Sequence, residues 1–134
     1  TIIDADSMYN TPPCWCIYMT GLVLEWIEEE VGGLAAMEAR NNEKAALLYD
    51  YLDSQDFYKN PVNKPDRSIM NVTFTSPDPE TDALFCAEAA KAGFVNIKGH
   101  RLVGGMRASI YNAMPREGIV ELVAFMKQFA AQHG

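Results

Sequence analysis

From residue 34 onward the apolar residues change their spacing repeatedly, and each change commits the chain to a different element. Leu34, Met37, Ala45, Leu48, Tyr49 and Leu52 recur at three and four residues, which predicts an amphipathic helix over 34–53 with Arg40, Glu43, Lys44 and Asp50 on its wet side. SIMNVTFT at 68–75 alternates instead, with Ile69, Asn71, Thr73 and Thr75 on one side of a strand and Met70, Val72 and Phe74 on the other. Ser76-Pro77-Asp78-Pro79 ends that strand and opens a helix carrying Leu84, Phe85, Ala89 and Ala92, which Gly93 closes. Short strands are expected at Phe57-Tyr58, from Phe94 to Ile97 and from Met106 to Tyr111. After Pro115, the positions Ile119, Leu122, Val123, Met126, Phe129 and Ala130 return to helical spacing. This order buries its apolar faces as an open sheet covered by helices, an α/β two-layer domain.

The first 33 residues do not fit that unit. TIIDAD looks like the end of a strand, and NTPP at 10–13 is a stiff entry in which Asn10 or Thr11 can cap a helix and the prolines fit its first turn. Trp15, Tyr18, Met19, Leu22, Val23, Trp26 and Ile27 follow at helical spacing, widened by Ile17 and Leu24, until Gly32-Gly33 breaks the run. A helix apolar on more than one face belongs between layers or at a subunit contact. The expectation is therefore a piece of a larger domain, self-associating through residues 15–27.

A chain of 134 residues with 11 basic and 18 acidic side chains has a formal charge of -7, which argues against nucleic acid as a partner. Any bound anion must be attracted by a local cluster. Cys14, Cys16 and Cys86 are odd in number and include no C-x-x-C pair, so reduced thiols in the cytoplasm are expected. The apolar run near 14–24 is too short for a membrane span.

The local cluster lies at 99–113, GHRLVGGMRASIYNA. Arg101 and Arg107 can each hold a carboxylate or phosphate through a planar, two-pronged face, His100 adds a donor, and Gly99, Gly104 and Gly105 allow tight chain paths. Together they suit a small dianion. A guanidinium within a strand is costly without a partner, so Arg107 must either pair with an acid of the same fold or await a ligand. Arg101 and His100 also read as ordinary loop residues. Phosphate-loop, dinucleotide, zinc and serine-nucleophile signatures are absent.

NTPP at 10–13, MNVTF at 70–74 and KGHRLVGGMRASIYNAMP at 98–115 resemble, in order, the C-terminal part of the phosphoserine aminotransferase family, pyridoxal-phosphate enzymes of the fold-type I, class V group. The resemblance implies a homodimer in which residues 1–33 end a large cofactor domain and residues 34–134 form a small C-terminal domain. It implies transfer of an amino group from glutamate to 3-phosphohydroxypyruvate, giving 2-oxoglutarate and O-phospho-L-serine, in serine and in many bacteria pyridoxal phosphate synthesis. By the same resemblance Arg107 receives the substrate α-carboxylate, His100 and Arg101 lie near the distal phosphate or carboxylate, and Asn10 and Thr11 reach the cofactor phosphate across the interface. The Schiff-base lysine is not matched here; Lys98 belongs to the recognition block, and the chain alone is expected to be inactive. Another class V aminotransferase with a different distal pocket, or a non-enzymatic anion-binding domain, remain the competing readings.

Overall fold

A computed structural model describes residues 1–134, which divide into two compact units, Thr1–Glu38 and Ala39–Gly134. In the first, residues 2–7 form turns rather than a strand end, with Asp6 and Ser7 at positive φ. Helix α1 (Cys14–Trp26) starts behind Pro13, and no side chain caps it, so Asn10 and Thr11 do not take the expected capping role. The prolines precede the helix instead of forming its first turn: Pro13 stands at the cap position, where it offers neither a capping side chain nor an amide donor. A π-helical turn (Ile27–Val31) continues α1 and stops at Gly32, whose φ of 95° an L side chain rarely adopts; Gly33 N–H donates back to the Ile27 carbonyl at 2.8 Å. No side chain of α1 is buried.

Helix α2 (Leu34–Asp53) has the predicted bounds. In the second unit its inward arc includes Asn41, Lys44, Ala45, Leu48 and Leu52. Lys44 is thus fully buried rather than on the wet side, and Leu34, expected in the apolar stripe, is 75% exposed at the helix start. A hundred degrees per residue places position 44 about 40° from 48 and about 60° from 41, within the same buried arc, and geometry overrides charge there.

Strand β1 (Asn71–Phe74) pairs antiparallel with β2 (Met106–Ser109), aligning Asn71 with Ser109, Val72 with Ala108, Thr73 with Arg107 and Phe74 with Met106. Single bridges extend the ladder at Lys59 with Thr75 and at Lys98 with Met106. These bridges replace the strands expected at 57–58 and 94–97. Asn96 takes a left-handed φ of 59°, so the chain turns there before Ile97 accepts the Arg107 amide at 2.7 Å.

Helix α3 (Pro79–Lys91) is capped by Asp78, and α4 (Arg116–His133) starts behind Pro115. The alternation of β1 holds: Val72 and Phe74, with Met106 and Ala108 from β2, enter one core with Leu48, Leu52, Phe85, Ala89, Ile119, Leu122, Met126 and Phe129. Leu84 and Ala92 of the α3 segment stay outside it. Phe85 meets Phe74 edge-on at 5.7 Å and Phe129 at 5.0 Å, and the buried Tyr58 hydroxyl donates to the Met126 carbonyl at 3.0 Å. Helices thus cover one face of a short antiparallel ladder, the two-layer α/β arrangement. Asn71, Thr73, Arg107 and Ser109 occupy the opposite, polar face.

Candidate anion-binding site

The loop joining the Lys98 bridge to β2 is closed at its base, because Gly99 N–H donates to the Gly105 carbonyl at 2.8 Å. Inside it the His100 carbonyl accepts from Val103 at 2.9 Å and from Gly104 at 2.8 Å. A side chain on Gly99 would collide with the Gly104 carbonyl; one on Gly105, at φ 61°, would come within 2.6 Å of the Phe74 carbonyl oxygen. Glycine at both ends lets the loop fold flat against β1. His100, Arg101, Leu102 and Val103 are presented outward and exposed.

His100 and Arg101 line a cleft of about 740 Å³ together with Lys98, Ser76, Asp82 and Cys86. The His100 Nδ1 accepts from the Leu102 amide at 3.3 Å, which leaves Nε2 for a ligand. Asp82 is already engaged, accepting from the Ser76 amide at 2.7 Å and its hydroxyl at 2.6 Å. Asp78 accepts from the Thr81 amide at 2.8 Å and hydroxyl at 2.9 Å, and these donors hold its carboxyl below the usual range. Burial pushes the Cys86 thiol up. The cleft therefore holds the cations Lys98 and Arg101 beside two carboxylates, Asp78 and Asp82, that keep their charge but whose oxygens already accept from local donors.

Arg107 stands elsewhere. It lines a second cavity of about 420 Å³ with Tyr111, Met114 and Ile97. The paired run of Ile97–Gly99 and Gly105–Arg107 contributes to both hollows, Lys98, Gly99 and Gly105 to the first and Ile97 and Arg107 to the second. Arg107 makes no ion pair with any acid of the fold, and its buried Nε has no hydrogen-bond partner; neither does the buried hydroxyl of Thr73, directly opposite on β1. The internal-acid explanation for a strand arginine is thus not realised. Sequence reading missed Thr73 because only the pairing register brings positions 73 and 107 together. Beside them, Asn71 Oδ1 accepts from the Ser109 hydroxyl at 3.1 Å and the Tyr111 hydroxyl at 3.4 Å.

Asn10 and Thr11 lie in the first unit, exposed, with side chains that make no hydrogen bond. No group of three or more His, Cys, Asp or Glu could hold a metal ion, and no helix is long and apolar enough to cross a membrane.

The two-layer α/β unit agrees with the comparison with known proteins. The chain belongs to the family described as Aminotransferase class-V, whose profile matches residues 1–122. Within it, the chain is similar to phosphoserine aminotransferases: it is 58% identical over 131 residues to that of Streptococcus suis and 59% over 128 residues to that of Lactococcus lactis. These alignments cover 97% and 95% of this chain but 36% and 35% of those proteins, so the chain spans about a third of their length. Among solved structures, phosphoserine aminotransferase from Bacillus circulans matches with a TM-score of 0.89 at 47% identity, over 100% of this chain and 37% of that one. The pyridoxal-phosphate-bound enzyme from Trichomonas vaginalis matches with a TM-score of 0.83 at 42% identity, over 94% and 36%.

Proposed function

We propose that the whole protein is a pyridoxal-phosphate-dependent phosphoserine aminotransferase, cytoplasmic and homodimeric, interconverting glutamate and 3-phosphohydroxypyruvate with 2-oxoglutarate and O-phospho-L-serine. One observation carries this beyond likeness: Arg107 is half-buried on the polar face of the ladder with no internal anion to neutralise it. Such a charge is tolerated when its partner is the ligand. In this reading Arg107 grips the α-carboxylate common to all four compounds. His100 and Arg101 take the distal phosphate or carboxylate, and their exposure on a loop suits them to two anions of different shape.

The residues present fit one end of the cofactor. Asn10 and Thr11 have free amide and hydroxyl groups that would hold its phosphate. None of the six lysines fits its attachment: Lys59, Lys64, Lys91, Lys98 and Lys127 are exposed, and Lys44 is surrounded by carbonyl groups. Pyridoxal phosphate supplies the electron sink that lets an amino group leave one acid and join another. What these 134 residues contribute is orientation: two anion grips set the substrate's length and direction. The exposed Trp15, Ile17, Tyr18, Val23 and Leu24 of α1 supply a subunit contact, and the three cysteines, all free, suit a reducing compartment.

The test is a pair of variants in full-length enzyme. Arg107→Leu should weaken glutamate and phosphoserine alike, and Arg101→Leu should mainly penalise the distal anion, each by about one to three powers of ten in kcat/KM. Equal kinetics for Arg107→Leu and the parent would sink the assignment.

A further inference from the structure

The end of β2 is held by a residue that the proposed reaction does not use. Lys44 of α2 is fully buried, and its Nζ donates to the Tyr111 carbonyl at 2.7 Å and the Met114 carbonyl at 3.0 Å, with Ile110 at 3.3 Å and Asn112 at 3.5 Å completing the group. No carboxylate pairs with it. Burial, aided by the like charge of Arg40, lowers its pKa. A methionine would fill this space at far smaller electrostatic cost, so the ammonium must serve something that packing cannot.

Carbonyls from four of five successive residues converge on one point only if the chain curls around it. Around Lys44 they do: Met114 N–H donates to the Tyr111 carbonyl at 2.9 Å, Ile110 N–H returns to Met70 at 2.9 Å, and Asn41 Nδ2 donates to Asn112 Oδ1 at 2.8 Å. The curl follows directly on the strand that carries Arg107. Its residues Tyr111 and Met114 line the same cavity as Arg107, and the Tyr111 hydroxyl reaches Asn71 beside the Thr73–Arg107 pair.

We propose that Lys44 is a positioning residue for the Arg107 site: its ammonium is an internal cation that gathers the carbonyls of Ile110, Tyr111, Asn112 and Met114 and so fixes one wall of the cavity. The proposal rests on the reading of Arg107 as the carboxylate grip. A lysine that merely filled space would be replaceable by methionine, and one that merely stabilised the fold would change the amount of active enzyme rather than its affinity.

Full-length Lys44→Met should therefore raise KM for glutamate and for phosphoserine by about tenfold or more, with kcat per folded site changed far less. Unchanged KM values would overturn the proposal. In Lys44→Ala refolded with n-propylammonium, KM should recover in proportion to the added amine, and n-propanol at equal concentration should do nothing. Recovery with both would show that no cation is needed; that outcome, recovery with neither, or failure of both variants to fold even with the amine would overturn it. Arg107→Leu, run in parallel, separates the two ideas. If it leaves KM intact the carboxylate grip fails; if it raises KM while Lys44→Met does not, the grip stands and the role of Lys44 fails.

Discussion

Lys44 is a buried cation and Arg107 a half-buried one, each without an internal acid, yet the sequence disclosed only the second. Arg107 stands in an alternating segment, where a charge is conspicuous and its need for a partner can be argued before any fold is known. Lys44 was hidden by its neighbours Arg40 and Glu43, which make it look like one more solvated charge; only the angular position shared with Asn41 and Leu48 gives it away. Thr73 left no trace, since its significance depends on register. Gly105 was legible as a tight-path residue, and the structure gives the reason. Replacing it with alanine combines a left-handed φ with a contact of 2.6 Å to the Phe74 carbonyl, so Gly105→Ala should lose about 2 kcal/mol or more of stability in urea denaturation. A loss below a few tenths would mean that the loop base yields easily.

Among the elements, helices were read more faithfully than strands. The bounds of α2 and the starts of α3 and α4 followed from glycine, proline and periodic apolar residues, all local signals. The segment at 94–97 looked like a strand by composition, but the turn at Asn96 leaves only a bridge, and pairing partners decide such cases. Helix α3 offers a pH-dependent test. Asp78 caps it as a carboxylate, and its folded pKa lies below the unfolded value, so its contribution is complete above about pH 4 and fades as acid protonates it through the lower folded value. Asparagine caps without titrating. The difference in Tm between the parent chain and Asp78→Asn should therefore shift in favour of the variant as the pH falls from 5 to 2; a constant difference would remove the carboxylate from the account.

At the scale of the molecule, α1 is the unsatisfied part. Trp15 is 71% exposed and Ile17 60%, on a helix that buries no side chain. Apolar surface of this kind is characteristic of a contact with another polypeptide. Light scattering of the chain should report association that Trp15→Glu with Tyr18→Glu abolishes. A parent chain that stays monomeric at high concentration would count against a subunit contact through α1.

The separation of His100 and Arg101 from Arg107 bears on inheritance of damage. One copy does not enclose all three side chains in a single hollow; if two copies pair as proposed, the loop of one and the strand arginine of the other would be able to share a ligand. Under that exchange, a mixed pair with one copy faulty in the loop and the other in the strand keeps one centre whole and concentrates both faults in the other. Two individually crippled alleles would then complement each other.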